Sequence, residues 1–242
     1  MFEARRLLAS VTVAAAMALA GQPASAGDSN GNFQAKLGVA GVWTDDDTNS
    51  LLLNGTQLAP GTWATTNDTV IPVLTLTYYL NKNLAVELFC CFDKVHVDAK
   101  GANAALGEIA DVWLFPPILT LQYHFDGLGP IKPFVGVGAE WIHYFKSKSK
   151  GGAAGALNLP EVDFDDSFGL ALQAGVDYDL GGGWSLGVDV KKVWEDTQIS
   201  WTGAGGKLEA DHDVDPLIVT ANLGYRFNLS DIFGSRTAAP LK

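Results

Sequence analysis

A set of charged and amide side chains sits inside otherwise apolar runs: Lys36, Glu87, Gln122, Glu140, Gln173, Asp189, Lys191, Asn222 and Arg226. Most have hydrophobic or small neighbours on both sides. Acids and bases confined to one space must pair, because an unpaired buried charge is costly. This set, with His124 and Asp177 beside it, therefore reads as a polar plug. A second set is apolar at inward-facing positions: Val73, Phe89, Leu114, Ile118, Ile142, Tyr144, Val193 and Ile218. It reads either as a pocket for an apolar solute or as core packing beneath long connections. A third feature is Pro116-Pro117, which has no N–H to give to a strand ladder. The pair either caps a strand that begins at Ile118 or opens the wall sideways between Leu114 and Ile118.

Other chemistries fit poorly. His96, His124, His143 and His212 are scattered, with no Ser–His–acid set in the segment ends, so no enzyme is expected. Cys90 and Cys91 are adjacent and point to opposite faces of a strand, which makes neither a disulfide framework nor a metal site. The acidic clusters Asp45-Asp46-Asp47, Asp163/Asp165/Asp166 and Glu209/Asp211/Asp213/Asp215 lack calcium-loop spacing and are assigned to solvated loops. No metal or cofactor is expected. A net charge of −11 argues against nucleic acid as a partner.

The elements that position these residues show in the alternation. In SFGLALQAGVDYDL, 167–180, apolar residues from Phe168 to Leu180 share one face, and small or polar residues the other. That is long for a soluble strand and suits a tilted bilayer crossing of about 9–11 residues. Similar segments fall at about Asn32–Trp43, Thr69–Leu80, Leu84–Val97, Asp111–Phe125, Lys132–Phe145, Trp184–Trp201 and Asp215–Phe227. Short turns follow the second, fourth and sixth of the eight; long polar connections follow the first, third, fifth and seventh. Aromatics near the segment ends (Trp43, Tyr78, Tyr79, Tyr123, Trp141, Tyr178, Trp184, Tyr225) suit interfacial girdles. The expected fold is all-β, an eight-stranded antiparallel up-and-down transmembrane β-barrel. Residues 1–26 read as a cleaved export signal, with Arg5-Arg6, an apolar stretch and Ala24-Ser25-Ala26. The barrel then covers 27–227, and 228–242 is a tail.

The runs LTLTYYLNKNLAVEL (74–88), FPPILTLQYHF (115–125), KPFVGVGAEW (132–141), DSFGLALQAGVDY (166–178) and DPLIVTANLGYRF (215–227) together resemble the outer membrane protein W (OmpW) family. The resemblance spans nearly the whole mature chain. It implies an eight-stranded outer-membrane barrel that admits small hydrophobic molecules. The chain departs from the family pattern by running on beyond Phe227. It also carries Lys191 and Lys192 where members tend to have aromatics, so no aromatic gate is carried over. The expected function is passive uptake of small hydrophobic solutes. The alternative is a structural or surface-recognition barrel whose loops are the functional part. Expected partners are outer-membrane lipid, lipopolysaccharide and the solutes themselves; Lys146, Lys148 and Lys150 read either as contacts for lipopolysaccharide phosphates or as a solvated loop.

Overall fold

The computed structural model describes residues 31–57 and 64–229. The expected export signal, and the tail beyond Leu229, lie outside them. In chain order, β1 (Phe33–Trp43) crosses the wall, and β2 (Asp47–Leu53), β3 (Thr56–Gln57) and β4 (Ala64–Thr66) occupy the first long connection. β5 (Thr69–Tyr79) returns. The third crossing is split into β6 (Leu84–Cys90) and β7 (Asp93–Ala99), and the fourth into β8 (Glu108–Phe115) and β9 (Ile118–His124). β10 (Ile131–Ser149) runs 19 residues, well past the wall, and β11 (Glu161–Phe164) follows it. β12 (Ser167–Gly181) and β13 (Trp184–Trp194) cross next. The hairpin β14 (Asp196–Gly203) and β15 (Gly206–Asp213) then leads to β16 (Leu217–Phe227).

Every wall contact is antiparallel, in the ring order β1, β5, β6, β9, β10, β12, β13, β16. β16 returns to β1 over 11 residue pairs, from Phe33↔Phe227 to Trp43↔Leu217, so the sheet closes on itself. Closure leaves the wall no open edge, the condition for strands to lie in hydrocarbon. The outward residues are apolar and exposed, among them Leu37, Val39, Leu74, Leu121, Val135, Leu172, Val188 and Leu223. An exposed apolar belt of this extent is unfavourable in water and is what a bilayer covers. Tyr123, Phe125, Tyr178, Trp184 and Tyr225 ring its lower edge, and Trp43, Trp113, Trp141, Phe168 and Trp194 its upper edge. Ten residue-to-residue steps along β13 lead from Trp184 to Trp194, which at about 3.3 Å each and a tilt of about 40° gives a band of about 25 Å. Tyr79, expected in a girdle, instead points inward and is buried.

The short ends are tight turns. Gly181, Gly182 and Gly183 all have positive φ (84°, 64° and 87°), a path a side chain would strain. The long ends depart from expectation. The connections assigned to solvated loops are folded, with β11, β14, β15, β2 and β3 forming a five-stranded sheet above the barrel. β4, β7, β8 and the upper part of β10 extend the wall opposite it. The two faces close on a core that includes Leu51, Val97, Val112, Leu159, Phe164, Ile199 and Trp201. Glu209, Asp211 and Asp213 are therefore strand residues of β15, with Leu208, Ala210 and His212 turned to that core. The third and seventh segments, expected to be continuous, break at Cys91–Phe92 and at Glu195.

Candidate functional site

The lower lumen is filled. Lys36 Nζ lies 2.9 Å from Asp177 Oδ2 and 3.6 Å from Glu87 Oε2. Lys191 contacts Asp189 and lies 3.5 Å from Glu87 Oε1. One carboxylate, Glu87, thus bridges two ammonium groups. Gln173 Nε2 donates to Glu87 Oε1 (2.9 Å) and Asp189 Oδ1 (3.1 Å), while its Oε1 accepts from Thr120 Oγ1 (3.0 Å) and Gln122 Nε2 (2.9 Å). His124 Nε2 donates to Gln122 Oε1 (3.0 Å), and the Tyr79 hydroxyl donates to Gln34 Oε1 (2.6 Å). The Arg226 guanidinium lies 3.6 Å from the centre of the Tyr79 ring. Phe134 stacks on His124, and Lys36 sits 5.1 Å above the Phe134 ring. Lys36 and Lys191 pair with Glu87, Asp177 and Asp189, and Arg226 shares the cavity below with Asp177, which makes three charges against three. A desolvated network survives only when charges and hydrogen bonds are both matched, and here they largely are.

Glycines give this network its room. A Cβ at Gly187 would collide with Asp177 Oδ1 and Asn222 Oδ1. Of the residues expected in the plug, Lys36, Glu87, Gln122, Gln173, Asp189 and Lys191 come together, Asn222 lies beside Asp177, and Arg226 lies nearer the periplasmic mouth. Glu140 does not join them. It lies one layer higher, lining an apolar pocket, where Glu195 rather than a lysine faces it. The alternation gives its inward direction correctly but not the height of its nearest cation.

Above the plug, Val73, Ile118 and Val193 pack with Ala40, Phe89, Ala171 and Ile218 as an apolar floor. Phe89, Leu114, Ile142, Tyr144 and Ile218 line the pocket on that floor, whereas Val73, Ile118 and Val193 support it from below. About 90 Å³ is free inside. The folded connections supply the rest of the lining, including Val95, Val97, Phe164, Thr197, Ile199 and His212, none of which alternation singled out as pocket residues. A second apolar cavity of about 210 Å³ lies higher, among Leu51, Ala99, Ile109, Leu159, Trp201 and Leu208. Ile199 and His212 line both, so the two cavities stand in series.

His212 is held in place at that junction. Its Nε2 lies 3.3 Å from Asp46 Oδ1, and its Nδ1 3.2 Å from the Thr48 hydroxyl. Asp46 also accepts from Thr44 Oγ1 (3.0 Å), Thr65 Oγ1 (2.8 Å), and both the N–H (2.8 Å) and hydroxyl (2.5 Å) of Thr66. Burial pushes the Asp46 carboxyl up, but the hydrogen bonds from His212, Thr66 and Thr65 outweigh it and hold the group below the ordinary aspartate range. Among the described residues one cluster, in the part of the chain above the barrel, has metal-ligand types within reach of one another: His96, Glu108 and the buried Asp111. Lys94 and Lys150 already sit 2.8 and 2.7 Å from Asp111, where a cation would bind.

Pro116 lines the pocket from the wall. β6 pairs with β9 as far as Phe89↔Ile118, and β7 with β8 only from Asp93↔Leu114. Between those pairs the ladder of the third and fourth crossings is interrupted. On the other side Trp141 N–H still donates to the Pro117 carbonyl (3.1 Å), keeping β10 attached.

The family model described as the OmpW family matches residues 29–227. The chain is 32% identical over 205 residues to the uncharacterized outer-membrane protein y4mB of Sinorhizobium fredii (strain NBRC 101917 / NGR234), covering 81% of this chain and 80% of that one. It is 29% identical over 225 residues to outer membrane protein AlkL of Ectopseudomonas oleovorans, covering 91% and 94%. The crystal structure of outer membrane protein OprG from Pseudomonas aeruginosa superposes with a TM-score of 0.75 at 30% identity, over 82% of this chain and 96% of that one. Closed eight-stranded wall, girdled apolar belt, filled lower lumen and these matches agree: this chain belongs to the OmpW family of outer-membrane β-barrels.

Proposed function

We propose that the protein passes small apolar solutes from the cell exterior into the outer membrane, without catalysis. The observation that carries this is the order of layers along one axis. Two apolar cavities in series lie above an apolar floor, and beneath it the lumen is filled by a balanced charge network. A solute resting on the floor gains nothing by moving down through paired charges. The interrupted ladder at Pro116-Pro117 offers the shorter way out, between the third and fourth crossings and directly into hydrocarbon. The exposed apolar belt meets the lipid, and lipopolysaccharide meets the upper rim near Lys146 and Lys148; Lys150 is already engaged by Asp111.

The test is uptake of butylbenzene by cells with and without the protein, and with Pro116→Val/Pro117→Val. Restoring two donors to the wall should stabilise the barrel and slow uptake severalfold. A more stable double variant that takes up butylbenzene at the normal rate removes the lateral exit. Equal uptake with and without the protein removes the channel and leaves the folded extracellular cap as the functional part.

A further inference from the structure

Every acid of the lower plug has a lysine beside it, and Glu140 has none. Glu140 is 2% exposed, lines the apolar pocket, and its Oε2 has no hydrogen-bond partner. The Glu195 carboxyl, itself 5% exposed, meets the other side of Glu140 within hydrogen-bonding distance from just beyond β13, so the two carboxyls share a proton, and Glu195 also accepts from Ser167 Oγ (3.3 Å). Asp93 is a third acid on the same lining. Among the described residues no lysine or arginine lines this pocket, and the one histidine, His212, is already committed to Asp46. The pocket is thus apolar on its sides and acidic at one point, and that point lacks a counter-charge.

We infer that the pocket selects small amphiphiles with an apolar body and a protonated amine head, the ammonium seated between Glu140 and Glu195. This rests on reading the pocket as the solute site. Two carboxyl groups in contact in apolar surroundings must share a proton or repel, and either way they are poorly solvated. An ammonium relieves both costs, since it carries the opposite charge and has three donors to share between two carboxyl groups. Its apolar body rests on Phe89, Ile142 and Ile218. An alcohol meets the vacant oxygen without meeting the charge, a hydrocarbon meets neither, and a carboxylate adds a further like charge. The resulting preference runs amine, alcohol, hydrocarbon, carboxylate.

The experiment measures binding of 4-phenylbutylamine, 4-phenylbutanol, butylbenzene and 4-phenylbutyrate to the whole chain in lipid nanodiscs. It compares wild type with Glu140→Gln/Glu195→Gln, and heat-modified gel mobility confirms that each folds. The amine should bind the wild type about tenfold or more tightly than the double variant, the size of one lost charge-assisted contact. Butylbenzene should bind both alike, and Glu195→Gln alone should fall between, which keeps the test available if the double variant does not fold. Equal amine binding by both proteins, or equal losses for amine and hydrocarbon, overturns the amine selectivity. A wild type that binds butylbenzene as well as the amine also overturns it, while the apolar channel stands. A wild type that binds neither takes both readings down.

Discussion

The two halves of the lumen face the same way, are walled by the same strands, and solve opposite problems. In the lower half each lysine and acid of the network is tied to an opposite charge, and the space that remains, about 100 Å³, lies below the network at the periplasmic mouth. In the upper half the side chains are apolar, space remains, and the carboxyl groups of Glu140 and Glu195 face each other without a cation. Polar groups in a confined interior must be matched and so converge on one arrangement. Apolar groups carry no such directional demand, so a cavity lined by them can persist. A seal is therefore built from charges, and a receiving space from hydrocarbon.

The strongest way to break this contrast is to remove the bridging acid. Glu87→Ala leaves Lys36 with one partner and Lys191 with one, and is expected to destabilise the barrel by about 3–5 kcal/mol. The loss should appear as a lower urea midpoint in lipid. Glu140→Gln, equally buried, breaks no ion pair and should shift the midpoint far less. Near-equal losses would mean the two layers are not different in kind.

A comparable substitution in the cap tests whether the halves are separable. Trp201 is 1% exposed at the centre of the upper core, and Trp201→Ala should cost about 3 kcal/mol or more locally. Limited proteolysis should then cut the β14–β15 hairpin while the barrel keeps its heat-modified gel mobility. Next in size, Gly187→Ala forces Asp177 and Asn222 aside and is expected to cost about 1–3 kcal/mol, with no effect on cap proteolysis.

The smallest expected effect depends on pH. Asp46 is held below its ordinary range in the folded cap, so its hydrogen bonds contribute stability that is fully present above the unfolded value of about 3.9 and fades as pH falls through the folded value. Protease sensitivity of the cap should stay flat at pH 5 and above and rise below about pH 4. Asp46→Asn should flatten that rise.

The wall was legible because one physical rule writes it: period-two alternation between lipid and lumen. β1, β5, β12, β13 and β16 fall where alternation puts them, and so do Lys36, Glu87 and Gln173. The strand breaks were not legible for the same reason. Val193, Glu195, Thr197, Ile199 and Trp201 are all buried at every second position, although the chain leaves one sheet for another at Glu195. The cap was missed because its pairing is non-local. β2 lies against β15, Leu51 opposite Ala210, and neither strand announces the other. Alternation likewise gives the direction of Glu140 without saying that its neighbour across the lumen is Glu195.

The charge network also dictates how the chain can enter the membrane. Its members come from the first crossing (Lys36), the third (Glu87), the sixth (Gln173, Asp177) and the seventh (Asp189, Lys191). A partly assembled sheet exposed to hydrocarbon would carry some of these charges without their counterparts. Nearly all the crossings must therefore come together before the interior can shed its water, and insertion becomes a concerted event in which no half-built barrel is a resting place.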